Sequence, residues 1–354
     1  MSASRCVERQ WAWVAAAAMM AAACGGSSAS PAARIASTRE LDAPPGATAA
    51  SVPSQPASTR ESLAGIKAFD AGSYAEARAA FEAAAKKNPK DYESLFNLGM
   101  TCEKLGNKPC AEAAYKSALA VKPDLDTAAA ELCAFYVDEG RLDEAMAVGK
   151  AGVARNPGSA ALHENLGVAL AGHGDHEEAA QELGRAIAIH PAEPMFHLTL
   201  AHWLNTWHVR GAAAHLDAAR DRVKQDYGML ASIGHEYRMA GEFGACVKTF
   251  DRAVQLKDGG EVRTERALCR LGLKDEKGAL DDLEAAVRNE PTYAPAHYYL
   301  GGRLAMTKEF KEAASEFAKY LSMAPNGSLA MPAAERMKAA QAAAKEKGGT
   351  PLKK

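Results

Sequence analysis

From residue 58 to residue 327 the small, large apolar and proline positions of the chain recur with one period. Pro89, Pro123, Pro157 and Pro191 stand 34 residues apart, as do Pro291 and Pro325. The step from 191 to 291 is 100 residues, three such periods less two. Frames opened at 58, 92, 126, 160, 194, 227, 260 and 294 carry a small residue at every eighth position: Gly65, Gly99, Cys133, Gly167, Ala201, Gly234, Ala267 and Gly301. The twentieth position is also always small: Ala77, Ala111, Ala145, Ala179, Ala213, Cys246, Ala279 and Ala313. The twenty-fourth position is large and apolar in six frames and departs in two, at Gly149 and Asp217. This spacing predicts a helix-turn-helix unit in each frame. Two helices cross closely only where neither carries bulk, and the proline ends the second helix and turns the chain into the next unit. Glycine-led turn signals fall where the helices reverse, at Gly72, Gly106, Gly140, Gly174 and Gly241. After Pro325, Ala333 to Glu346 reads as one further helix, followed by a basic, frayed end.

A 34-residue helix-turn-helix period with small residues at the crossing resembles the tetratricopeptide repeat family. The resemblance covers residues 58–327, about three quarters of the chain. It implies an all-α fold: a right-handed superhelical solenoid of about eight units, with residues 328–354 forming a capping helix and tail. Terminal units of a solenoid need such a cap. The fifth and sixth frames depart from the pattern, because Gln225 and Asp258 stand where the proline belongs. The stack is expected to bend or loosen there.

The first 57 residues lie outside the period. Arg5 and Arg9 precede an apolar run from Trp11 to Ala23 that is too short to span a bilayer and has the form of a signal peptide, residues 1–23. Ala21-Ala22-Ala23-Cys24 resembles the lipobox of bacterial lipoproteins, with Ala21 where that family usually has Leu. That resemblance implies lipidation of Cys24. Cleavage at Ala-x-Ala by the ordinary signal peptidase, without lipid, is the other reading, and both cut before Cys24. Gly25 follows the cysteine where Asp often marks inner-membrane retention. In a Gram-negative cell the resemblance therefore implies an outer-membrane anchor facing the periplasm. Residues 24–57 are rich in Ser, Ala and Pro and read as a disordered tether.

Composition agrees with a helical chain and narrows its partners. Much of the apolar content is alanine, and aromatic residues make up only 6% of the chain, few for a β-sandwich or barrel. A net charge of -2 argues against nucleic acid as a general partner.

In the resembled family the first helix of each pair lines a concave face. The inward positions (second, fifth, ninth, twelfth and thirteenth) hold Phe69, Phe96, Met100, Met195, Leu198, His202, Met239, Leu271, Tyr298 and Met306. Such a half-apolar, Met-rich groove suits an amphipathic helix or an apolar peptide. The carboxylate clamp of eukaryotic co-chaperones needs Lys and Asn at the fifth and ninth positions, and no frame has that pair. Trp203 and Trp207, beside His197, His202 and His208, form a candidate aromatic patch or a repacked helix end. His173, Asp175 and His176 lie at a turn and read as solvated rather than metal-ligating.

Cys102 and Cys110 flank the turn of one unit and would form a short bridge in an oxidising compartment; two free thiols are the other reading. Cys133 and Cys246 read as small crossing residues. No phosphate loop, nucleophile elbow or zinc-protease motif is present, and no cofactor is implied. The reading is a non-enzymatic scaffold, lipid-anchored at the cell envelope, that assists assembly of an envelope protein complex. Its alternative is a periplasmic recruiter or sensor that binds a soluble peptide or regulates a cell-wall enzyme.

Overall fold

The computed structural model describes residues 59–348. The expected signal, Cys24, the tether and the last six residues lie outside them. Among the described residues there are α-helices and no strand. The chain divides into two compact units, the first ending at Pro191 and the second beginning at Ala192.

The first unit holds four helix pairs: α1 (Arg60–Asp70) with α2 (Tyr74–Lys87), α3 (Tyr92–Lys104) with α4 (Lys108–Val121), α5 (Asp126–Asp138) with α6 (Leu142–Arg155), and α7 (Ala160–His173) with α8 (His176–Ile189). Local chemistry fixes the helix starts. The side chains of Thr59, Asp91 and Asn107 accept hydrogen bonds from the backbone N–H groups of Ser62, Ser94 and Cys110. The turn between paired helices uses a left-handed residue, Gly72, Gly106, Gly140 and Gly174 in succession.

Side-chain size fixes the crossing. A Cβ on Gly99 would stand 2.5 Å from the Tyr115 ring, and one on Gly65 would stand 2.7 Å from Phe81. The eighth position is therefore glycine because the twenty-fourth is a ring. The third pair inverts this rule. Gly149 and Gly152 leave a hollow on α6 that Leu166 and Leu162 of α7 fill. In the fourth pair a buried polar clip joins the inter-repeat turn to α8. His163 faces the Pro157 carbonyl through Nε2 at 3.0 Å and Glu182 through Nδ1 at 2.6 Å.

The second unit holds α9 (Pro194–Thr206) with α10 (Ala212–Arg222), α11 (Tyr227–Met239) with α12 (Phe243–Leu256), α13 (Gly260–Gly272) with α14 (Glu276–Asn289), α15 (Ala294–Met306) with α16 (Phe310–Met323), and finally α17 (Ala330–Gly348). The irregular fifth frame has a specific cause. Ala212, Leu216 and Ala219 are buried where the frame places Ala213, Asp217 and Arg220. The buried face of the second helix is thus set one residue earlier than the frame, after Gly211 in a positive-φ conformation. Leu216 fills the large apolar slot, and Asp217 turns outward to accept a hydrogen bond from Tyr237 Oη at 2.7 Å. No proline ends α10. Instead Arg252 donates to the carbonyls of Arg220 and Val223 at the end of that helix.

In the seventh pair Asp282, 1% exposed, meets Arg266 Nε at 2.9 Å, Arg270 Nη1 at 2.9 Å and Arg263 Nη1 at 3.2 Å. The eighth pair repeats the clip of the fourth: His297 lies between the Pro291 carbonyl (2.9 Å) and Glu316 (2.5 Å). The last helix caps the stack. Ala333 and Ala340 of α17 are buried against it, and Arg336 lies over the Tyr298 ring.

Candidate functional site

Within the first unit the first helices of successive pairs lie side by side. Ser94 Oγ donates to Ser62 Oγ at 3.0 Å, and Asn165 Nδ2 donates to the Ala130 carbonyl at 2.9 Å. The ninth position of these helices forms an apolar row: Ile66, Met100, Ala134 and Val168. Ile66 is 40% exposed, and Leu63, at the sixth position of the same helix, is 57% exposed. Phe69 is half-buried, edge-on to Tyr74, and Phe96 is half-buried with its ring 5.9 Å from Tyr115. Met100 packs on the same cluster and remains partly open.

Carboxylates flank the row. Glu103 accepts from Tyr115 Oη at 2.5 Å. Its carboxyl is pushed up by burial and by the negative charge of Asp138. Burial, then the charge of Glu103, pushes Glu131 up to about 7. Asp138 is raised by burial and by Glu139. Glu131, at a sixth position, was not among the inward positions expected from the sequence. The influence of Glu103, on the preceding first helix, on its carboxyl sets it beside that layer.

The inner layer of the second unit is polar where the first is acidic. His202 Nδ1 meets Glu236 Oε1 at 2.9 Å, and Asn205 donates to the same carboxylate at 2.9 Å. Arg238 Nε donates to Glu265 at 2.8 Å, with His235 3.8 Å away. Hydrogen bonds and charge from His202 and Asn205 hold the carboxyl of Glu236, and those from His235 and Arg238 hold that of Glu265, below the usual range despite burial.

Two expected groove residues belong to the core. Leu198 is 8% exposed within the hydrophobic cluster of α9 to α13, and Tyr298 is 5% exposed against Phe317 and Tyr320. Each points into its own unit because the fifth position of these two helices meets its neighbours rather than open space. Met195 and Leu271 are half-buried on those clusters. Met239 and Met306, at the ends of their helices, are exposed at 60% and 67%. Trp203 and Trp207 stack with centroids 5.8 Å apart and are half-buried.

Cys102 and Cys110 are bonded to each other. Cys246, expected to serve only as a small crossing residue, is bonded to Cys269. It fills the twentieth-position slot and also joins α12 to α13, a pairing hidden from the sequence because the two residues lie in different frames. Cys133 is free and buried, and burial pushes its thiol up to about 12, far from nucleophilic character. His173 pairs with Asp175 at 2.9 Å on the surface. Among the described residues no three His, Cys, Asp or Glu side chains converge on a metal-sized site, and no helix is long and apolar enough to cross a membrane.

Two models described as tetratricopeptide repeat match the chain, one over residues 63–130 and 271–328 and the other over 136–202, together just over half of it. No curated protein sequence matches. Among solved structures, yeast Tom70 is similar with a TM-score of 0.53 and 15% identity over 86% of this chain and 70% of that one. PilW, described as a widely conserved type IV pilus biogenesis factor, is similar with a TM-score of 0.50 and 20% identity over 57% of this chain and 94% of that one. At these identities the likeness is one of fold.

Proposed function

Because the chain belongs to the tetratricopeptide repeat family, we propose that it is a non-catalytic scaffold, anchored at the cell envelope through a lipid on Cys24, that assists assembly of an envelope protein complex. Proteins of this family bind protein partners, and the array supplies the surface for it. The observation that carries the reading is the inner layer of first helices. It leaves large apolar side chains in water at Leu63, Ile66, Met239 and Met306, where a folded chain otherwise buries them. In either unit, a partner segment laid along that unit's first helices would cover them. Two disulfides support export to an oxidising compartment, since such bonds are rare in the cytosol. The sequence before residue 24 supports the same route, and a lipid on Cys24 would raise the local concentration of the array at the membrane surface.

The test combines anchor and groove. Fatty-acid labelling and envelope fractionation of the wild type and Cys24→Ser should show label and membrane association lost together in the variant. In-cell cross-linking of the tagged chain should capture an integral membrane partner that Phe96→Glu with Met100→Glu loses, while helical circular dichroism persists. The same partners in both samples would place binding on another face. A soluble partner retained by Cys24→Ser would favour a periplasmic recruiter.

A further inference from the structure

The charge of the first unit is concentrated on one face. Over residues 59–191 the inward positions of the first helices carry six acidic side chains and one basic, Lys104. The remaining positions carry fourteen acidic and thirteen basic. Outside the inner layer the unit is therefore close to neutral, while the inner layer holds nearly all of its excess negative charge. Four of the six, Asp70, Glu93, Glu131 and Asp138, have no cation within 4 Å among the described residues, although ion pairs are frequent around the second helices, as at Lys116 with Glu112 and Arg141 with Glu144. The second unit offers the contrast, since its inward carboxylate Glu265 is held by Arg238 and His235.

These carboxylates border the apolar row of the ninth positions, which opens to water at Ile66 and, one turn away, at Leu63. A rim with six carboxylates to one lysine beside an open apolar row is complementary to one kind of ligand. We propose that the inner face of the first unit receives a basic amphipathic segment of a partner protein, its apolar stripe on Ile66, Met100 and Val168 and its lysines or arginines on Glu103, Glu131 and Asp138. This assignment rests on the groove reading given above and names the chemistry of its occupant. The bound cations would relieve the repulsion among these neighbouring carboxyls. Anionic lipid and nucleic acid would be repelled by the same face.

The probes are three labelled synthetic peptides of equal length: a Lys/Leu amphipathic helix, its Glu/Leu counterpart and a Lys/Ser peptide without an apolar stripe. Binding to the purified full chain is read by fluorescence anisotropy at low and high salt. The Lys/Leu peptide should bind at least about tenfold tighter than either other peptide and weaken in high salt. Glu103→Gln with Glu131→Gln and Asp138→Asn should weaken it at least about tenfold with circular dichroism unchanged. Leu63→Ser with Ile66→Ser, both at exposed positions, should weaken it too. Equal affinity for the Lys/Leu and Glu/Leu peptides, lost in the serine variant, would overturn the basic occupant and leave the groove standing. Binding of the Lys/Leu peptide that none of these variants alters, or no binding of it, would overturn both.

Discussion

The bond between Cys246 and Cys269 joins the second helix of the sixth repeat to the first helix of the seventh, so removing it should weaken an interface between repeats. Its closed loop has a sequence separation of 23, which gives a loop-entropy contribution of about 3.4 kcal/mol at room temperature. The bond between Cys102 and Cys110, with a separation of 8, gives about 2.6 kcal/mol on the same basis. Packing should change little on substitution by alanine. Alanine holds the position of Cys246 in most other repeats, and the fourth repeat has Ala169 at the position of Cys269. The variants are Cys246→Ala with Cys269→Ala, and Cys102→Ala with Cys110→Ala, each with Cys133→Ala to prevent thiol exchange. Urea unfolding is followed by helical circular dichroism. With an m value of about 2 kcal/mol per molar urea, the midpoints of the transitions involving each bond should fall by about 1.7 M and 1.3 M respectively. Reductant should lower the wild-type midpoints and leave those of a chain lacking both bonds unchanged. A loss below about 1 kcal/mol on removing the longer loop would refute the reasoning, as would a larger loss from the shorter one.

Gly99→Ala drives a Cβ into the Tyr115 ring and should destabilise the first unit by about 1–3 kcal/mol, measured by thermal unfolding; an unchanged midpoint would show that the ring swings away freely. Glu131 is pushed up to about 7 from an ordinary 4.5, so the folded chain holds this proton more tightly than the unfolded one. The stabilising effect of that proton is complete below the ordinary value and is lost as pH rises through 7. Glu131→Gln should therefore raise the melting temperature at pH above 7 and have little effect near pH 4, and equal effects at both would contradict it. Lys274 holds a left-handed backbone at φ 62° in the turn of the seventh repeat, where five other repeats place glycine. Lys274→Gly should stabilise by about 0.5–1 kcal/mol in chemical denaturation, and a loss would mean that the lysine side chain supplies more than the turn costs.

The repeat was legible because it is written in side-chain size. Glycine at position eight and a ring at position twenty-four touch one another in space, so their spacing in the sequence is the crossing itself. The fifth repeat misled for the same reason. Asp217 stood in the frame's large apolar slot, but a one-residue shift in the buried face of α10 put Leu216 there instead. The inward face was only half legible. A repeat position says which way a residue points and not how closely its neighbours pack, so Leu198 and Tyr298 were placed in a groove when the chain buries them. Glu131 was missed because its importance comes from Glu103 on the preceding first helix, a neighbour distant in sequence. The pairing of Cys246 with Cys269 is likewise a relation between repeats, which a search within one period does not reach.

The stacked pair Trp203 and Trp207 has an optical consequence. A chain that begins at Cys24 keeps only these two of the four tryptophans, and both sit at the end of one helix of the fifth repeat, Trp207 as its C-cap, with centroids 5.8 Å apart. Its tryptophan fluorescence is therefore a single local lamp at the start of the second unit, dark to everything before residue 192. Fluorescence and circular dichroism should report the same denaturation midpoint only if the two units melt together. A fluorescence curve that leads or trails the helical signal would time the loss of one unit against the other, with no label added.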